Sequence, residues 1–305
     1  MTQVGAPRHD PIPIGEVAAP VFTRLPEPET LFAQRARRFR ALGHGHELKP
    51  YLSFLADLCL VQHGIQDGLP AAATPADDAL IRAREFGMPP LDRRRFTADG
   101  TWDSTLGRLL AAAGSCEMPA AAQAALCNVR AADAATLASM VRSVLGDAIL
   151  VEAMAEHVFV AAALQVHFAR LASQLEPASL VPVAEGACPA CGGPPVSSMV
   201  VGWPRAHGTR YCACALCGTL WNVVRIKCTL CGSTKGISYQ EIAGGPGTVK
   251  AEICEGCRAY VKILHQHKDP DVDPIADDVA SLGLDLLVRE AGLRRGGVNP
   301  FLLGY

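Results

Sequence analysis

The chain has 305 residues, half of them hydrophobic, and a formal net charge of −2. A length of this order suggests about two domains of ~150 residues, and the apolar content excludes disorder for most of the chain. The small net charge hides a distribution: 16 basic and 20 acidic side chains over residues 1–187, nine and three over 188–268, and three and seven over 269–305.

The first 28 residues hold six prolines and no amphipathic period, which predicts an extended Pro-rich arm over 1–28. No apolar run follows its sparse positive charge, so it reads as neither a secretory nor a twin-arginine leader, and the cytoplasm is the expected compartment. A helix is predicted from near Thr30, with Leu31, Phe32, Ala36, Phe39 and Leu42 at helical spacing and the run RARRFR on a solvated outer face. A second, from Pro50, places Tyr51, Leu55, Leu58 and Val61 on one face, with Cys59 as a core thiol. Residues 68–103 read as a long connection with a short charged segment around IRAREF. The Ala-rich stretch 104–175 reads as three or four helices with a break at Gly146 and Asp147, and Cys116 and Cys127 are expected to be buried small residues. Its most apolar part, AILVEAMAEHVFVAAALQVHF, is interrupted by Glu152, Glu156, His157 and Gln165. A membrane span wants ~20 nearly uncharged residues, so this segment reads as a buried helix and no membrane insertion is expected. With no strand alternation through residue 180, residues 29–182 are predicted to form an all-helical domain.

At VPVAEGACPAC the texture changes to glycine, β-branched residues and cysteine, and the runs VSSMVV and LWNVVRI predict small β-hairpins. Beyond His267, Asp273 can cap a helix with Pro274 in its first turn, acidic residues at its start and arginines at its end; this gives a C-terminal helix and an apolar tail, VNPFLLGY, expected to dock, over 269–305.

Of 12 cysteines, nine lie between Cys188 and Cys257, and eight form Cys-x-x-Cys pairs: Cys188/Cys191, Cys214/Cys217, Cys228/Cys231 and Cys254/Cys257. Advancing the first four by 40 positions gives the last four, Gly192 falls on Gly232, and Val223 and Val224 fall on Ile263 and Leu264. A repeat at fixed period is one supersecondary unit used twice. Each unit is therefore expected to close its own site, over 183–226 and 227–268, rather than to share ligands with the other in a cross-brace. Reduced cytoplasmic thiols favour metal over disulfides. Two residues between cysteines let a tight turn aim both sulfurs at one ion ~2.3 Å away, and two such knuckles complete a tetrahedron.

A glycine follows Cys191, Cys217 and Cys231, easing the turn, whereas Arg258 follows Cys257, so the fourth knuckle is expected to be less regular. Four thiolates leave no open position for hydrolytic chemistry, and no catalytic constellation stands elsewhere, so an enzyme is not expected. A thioredoxin-like site needs one such pair in a βαβ context, which is missing. Two closed sites also suffice to hold core-poor modules together. The residues alone favour zinc over iron. Cys212 reads as a bystander; His207, His265 and His267 read as surface histidines, and His44 and His46 lack partners at ligand spacing. The basic charge of the cysteine region offers a second reading, a zinc-ribbon nucleic-acid-binding protein. Two four-thiolate sites with divalent ions would offset most of that charge, and aromatic interleaving is sparse, so nucleic acid is the weaker partner.

The order CPACG, RY before Cys-x-x-Cys, LWNVVRIKC-x-x-C, IC-x-x-C, then KDP, DPIADDVASLGLD and a terminal NPFLL resembles the formate dehydrogenase accessory protein FdhE family, densely over 185–305 and more weakly, through RARRFRAL and PYLSFLADL, before it. The resemblance implies a fold of α plus small β: a helical N-terminal domain followed by two tandem rubredoxin-like or zinc-ribbon four-cysteine modules and a C-terminal helix. It implies a cytoplasmic assembly factor, not an enzyme, that binds the catalytic subunit of a respiratory molybdenum formate dehydrogenase before export. The eight paired cysteines are its implied ligands. It also moves the expected metal to iron, two ions per chain, with zinc as the alternative and a structural or redox role. A homo-oligomer is left open.

Overall fold

A computed structural model describes residues 20–302, so most of the expected Pro-rich arm lies outside the described residues. The described chain begins with a two-residue strand, β1 (Thr23–Arg24), too short to leave a period in the sequence. Seven helices follow: α1 (Pro28–Leu42), α2 (Lys49–Gly64), α3 (Asp77–Glu85), α4 (Gly100–Ala113), α5 (Ala120–Ala131), α6 (Ala134–Leu145) and α7 (Met154–Ala172). The local signals are ordinary ones. Pro28 opens α1, whose missing N–H would have no partner there. Asp99 accepts from the N–H groups of Thr101 and Trp102 to cap α4, and Asp133 accepts from Thr136 N to cap α6. Asp147, in the break after α6, holds φ 53°. Helix α7 is the apolar segment with the scattered polar residues; it is buried on nearly every face, and α2, α4, α5 and α6 pack around it. No helix among the described residues is long and apolar enough to cross a membrane.

The cysteine region contributes six strands: β2 (Pro195–Val200), β3 (Arg210–Cys214), β4 (Leu220–Val223), β5 (Ile237–Gln240), β6 (Val249–Cys254) and β7 (Ala259–His265). Shifted by 40 residues, β2, β3 and β4 fall on β5, β6 and β7, so the repeat in the cysteines is a repeat of a three-stranded antiparallel meander. The two meanders join into one sheet through parallel pairing of β2 with β7, in the order β1-β4-β3-β2-β7-β6-β5. Arg210 on β3 secures this seam. Its guanidinium passes the hydroxyl of Ser198 on β2 at 2.8 Å and meets both oxygens of Glu252 on β6 at 2.7 and 2.8 Å. It also donates to the carbonyls of Arg225 and Lys227 in the linker between the meanders. A fully buried charge is tolerated only when it is paired and its donors are used. The fold meets that condition here.

The chain closes with α8 (Ala276–Ala280), α9 (Leu282–Glu290) and a short strand β8 (Arg294–Arg295) beside β7. Asp273 caps α8 by accepting from Ile275 N and Ala276 N. The C-terminal helix is divided at Ser281, whose hydroxyl donates to Asp277 O at 2.6 Å, while Lys262 Nζ on β7 takes the carbonyls of Asp278 and Ser281. Lys262 and Arg295 each pair with both Asp278 and Asp285 inside the protein. The described part of the tail, residues 298–302, docks as expected: Phe301 and Leu302 are buried, and Tyr51 of α2 donates to Phe301 O at 2.7 Å.

Two of the four arginines of RARRFR correct the sequence reading, while Arg37 and Arg40 are exposed as expected. Arg35 is buried against Asp273, and Arg38 pairs with Asp277 at 2.6 Å and Asp269 at 2.7 Å. The side of the run that carries Arg35 and Arg38 receives the acidic start of the C-terminal segment, 231 to 239 residues later, which no local pattern records. Cys127 is another correction. It lies exposed on the outer face of α5, which buries Ala125, Leu126 and Val129 instead, and Cys116 is half-buried.

Breaking the seam pair tests its role. Arg210→Ala is expected to cost about 3–5 kcal/mol, because it leaves Glu252 buried and unpaired. The Arg210→Met, Glu252→Leu double substitution should recover most of that loss, as read by urea titration of the two proteins.

Candidate metal centres

Each knuckle is built on a strand end. In the first meander, Cys188 and Cys191 lie in the turn before β2, Cys214 ends β3, and Cys217 lies in the turn before β4. The turns close by the same bond: Gly192 N donates to Cys188 O, Gly218 N to Cys214 O, and Gly232 N to Cys228 O. All three glycines hold φ between 74° and 78°, a region that glycine enters without penalty. Arg258, in the fourth position, holds φ 54°.

The structure brings the eight predicted cysteines together in two groups, Cys188, Cys191, Cys214 and Cys217, then Cys228, Cys231, Cys254 and Cys257, each arranged so that it can hold one metal ion. The grouping is sequential, within each repeat. Facing sulfurs stand 3.6 Å (Cys188–Cys217) and 3.4 Å (Cys191–Cys214) apart in the first, and 3.8 Å (Cys228–Cys257) and 3.7 Å (Cys231–Cys254) in the second. A tetrahedron with metal–sulfur bonds of ~2.3 Å has edges of about 3.8 Å, so both donor sets fit a four-thiolate ion. No cysteine is in a disulfide. Without a cation the thiols compete for charge. Burial holds Cys188 above the ordinary thiol range, hydrogen bonding to Cys188 first and then to its other neighbours raises Cys191, and bonds from Cys188, Cys191 and Cys217 hold Cys214 below it. Four thiolates together require a metal ion among them.

The two groups differ in their surroundings. The first is buried throughout and is held by the helical half. Leu91 N donates to Ala190 O at 2.9 Å and Arg93 N to Cys191 O at 3.1 Å, which fixes the first knuckle. Gln165 of α7 donates to Ala215 O at 2.9 Å, which fixes the second, and is itself oriented by Gln62 of α2 at 3.0 Å. Arg93 also brings charge. Burial works against its guanidinium, but Asp147 and the sulfurs of Cys191 and Cys214 outweigh that and raise its pKa. Gly193 makes room for it, since a Cβ there would stand 2.9 Å from Arg93 Nη1. In the second group Cys231 is exposed and Cys257 half-buried.

Sequence reasoning passed over Gln165, Arg93 and Asp147. A polar side chain inside an apolar helix was the available signal, since burial obliges such a group to find a partner. Cys212, the ninth cysteine, lies buried in β3 outside both groups, and burial pushes its thiol up to about 12. The histidines are mixed. His207 and His267 are exposed as expected, and His46 Nε2 lies 2.9 Å from Ala280 O. His265 is a correction: it is half-buried at the end of β7 with both ring nitrogens enclosed and unpartnered. Burial, with the nearby positive groups, lowers it to about 4.

Comparison with known proteins adds independent findings. Three family profiles match in succession: "FdhE, N-terminal" over residues 20–185, "FdhE, central domain" over 187–225 and "FdhE, C-terminal domain" over 226–302. The chain is similar to a Protein FdhE homolog of Rhizobium meliloti, 46% identical over 298 residues and covering 97% of each chain. It is also similar to a Protein FdhE homolog of Proteus mirabilis, 36% identical and covering 91% of this chain and 90% of that one. Among solved structures, the crystal structure of the FdhE protein from Pseudomonas aeruginosa superposes with a TM-score of 0.81 at 34% identity, over 93% of this chain and 99% of that one.

Two solution measurements follow from these environments. In native protein treated with iodoacetamide at pH 8, Cys59 and Cys212, whose thiols burial raises to about 12, are expected to stay unlabelled while Cys127 reacts; mass spectrometry of the digest reads this. Because His265 titrates lower in the folded chain than in the unfolded one, the unfolded state binds the extra proton between pH ~6.5 and about 4. Stability should therefore fall as pH drops through that window, and His265→Gln should flatten the fall in denaturation curves.

Proposed function

From the premise that this chain belongs to the FdhE family, we propose that it is an accessory factor in the maturation of a respiratory molybdenum formate dehydrogenase, acting in the cytoplasm on the catalytic subunit before export. The eight paired cysteines are the metal ligands in this reading, four to each of two ions. The observation that carries the metal part is the pair of sulfur tetrahedra, each within one repeat and with edges of the right length. Iron is the ion we propose, with zinc able to occupy the same geometry, because a four-thiolate site accepts either and only iron adds a redox option. Closed coordination supports a role outside catalysis, since it leaves substrate no position on the metal.

The disposition of basic residues favours this reading over nucleic-acid binding. Arg210 and Lys262, two of the nine basic side chains of the cysteine region, are buried in ion pairs, and Lys227 and Lys250 are paired with Glu185 and Glu241 at the surface. A counterion-releasing surface needs free cations.

Protein purified without oxygen is expected to carry two ions per chain, iron predominating, by elemental analysis. Deleting the gene in its host should abolish respiratory formate oxidation without lowering the catalytic subunit's transcript, and affinity purification should recover that subunit. Wild-type formate oxidation in the deletion strain would end the reading.

A further inference from the structure

The two clusters share a donor set and differ in what holds their sulfurs in place. Ligand substitution at a four-thiolate ion requires an incoming donor to reach the metal and one sulfur to swing away. In the first cluster neither is possible without parting the layers. All four sulfurs are buried, the Ala190, Cys191 and Ala215 carbonyls are taken by Leu91, Arg93 and Gln165, and the turn glycines are closed off. A Cβ on Gly192 would stand 3.1 Å from Pro89, and one on Gly218 3.1 Å from Leu31 and 3.2 Å from Pro26.

The second cluster has an open side. Cys231 is exposed and Cys257 half-buried, while Cys228 and Cys254 are enclosed. The sheet holds these turns at their inner side, where Arg294 N of β8 donates to Arg258 O and Thr229 meets Cys212 of β3, while their glycines face side chains of neighbouring loops: Gly232 lies beside Glu185, Gly236 beside Glu255, and Gly256 beside Ser233. The knuckle that carries Cys257 also bears the left-handed Arg258 in place of a glycine, a conformation that strains an L-residue even without the ion.

We propose that the second cluster is a metal-exchange site with Cys231 as its entry sulfur, and that the first is a locked ion. The inference rests on the reading that both clusters hold metal. The exchanging partner is a soft-donor ligand, a thiol. With an ion bound, the thiol's sulfur would bond to it as the thiol proton passes to the Cys231 sulfur and the metal–Cys231 bond breaks; further thiols would displace Cys257, then Cys228 and Cys254, in the same way, each freed cysteine taking one proton, so that the ion leaves bound to the incoming sulfurs. No electrons are transferred, and the reverse sequence loads the site.

The test uses the full chain loaded with zinc, which takes the same four-sulfur geometry, after two ions per chain have been confirmed. Mixed with excess dithiothreitol and a chromogenic zinc chelator, the protein should release one equivalent at least tenfold faster than the second. Cys231→Ser should remove the fast equivalent and leave the slow one unchanged. Arg258→Gly, which relieves the left-handed strain without touching a ligand, should slow the fast phase about fivefold, or ~1 kcal/mol at 1.36 kcal/mol per decade. Release of both ions in one phase overturns the inference and leaves the metal reading standing. So does a fast phase that survives Cys231→Ser. A chain that takes up no zinc at either cluster ends both readings.

Discussion

Three hydrogen bonds from the helical half to the turns of the first cluster hold the rest of the structure in place. Leu91, Arg93 and Gln165 each donate to a carbonyl in a turn that aims two sulfurs. A buried carbonyl left without a donor costs free energy comparable to a lost hydrogen bond, so helices and sheet are committed to one relative position by groups neither could leave unpaired. The cysteine turns of the first cluster are thereby the joint between the layers. The apolar core follows the same path, running without interruption from Phe32 and Leu55 through Phe159 and Leu164 to Cys191, Ala213 and Trp221.

Duplication accounts for what the two meanders share, and the divergence between them accounts for how they are joined. Arg210 of the first meander falls on Lys250 of the second, and Cys212 on Glu252. A symmetric pair would bring no opposite charges to the seam. With arginine in one copy and a carboxylate in the other, a bidentate pair crosses β2 and β7 and sets their parallel register. Asn222 of the first copy likewise corresponds to Lys262 of the second, which anchors the C-terminal segment through Asp278 and Asp285. The second copy is thus bound to the first and to the C-terminal segment by charge, and the first copy to the helices by backbone acceptors. This division leaves one cluster enclosed and the other with a sulfur in solvent.

How far the sequence could be read depended on the range of the interaction involved. The helices of the first half followed from spacing and caps, as with Phe32, Ala36 and Phe39 or Asp99 before α4. The mistaken residues were those whose surroundings are set by parts of the chain far from them in sequence, or, for Cys127, by which face of its helix packs. Arg35 and Arg38 sit among charges that read as a solvated face until Asp273 and Asp277 arrive. His265 reads as a surface residue because enclosure by neighbouring strands leaves no mark in the five residues on either side.

The sequence alone determined the cysteine turns and their grouping. Two residues between cysteines dictate a knuckle, and a 40-residue repeat carrying four cysteines twice dictates which knuckles meet in one cluster, because both rules act over short covalent distances. Tertiary structure decided that the copies form one sheet, that an arginine run binds an acidic cap, and that only one of two chemically equal clusters is shut away. Those outcomes depend on burial and on charge pairs between residues 40 to more than 200 positions apart, and the energy of such pairs is set by the surroundings the whole fold creates.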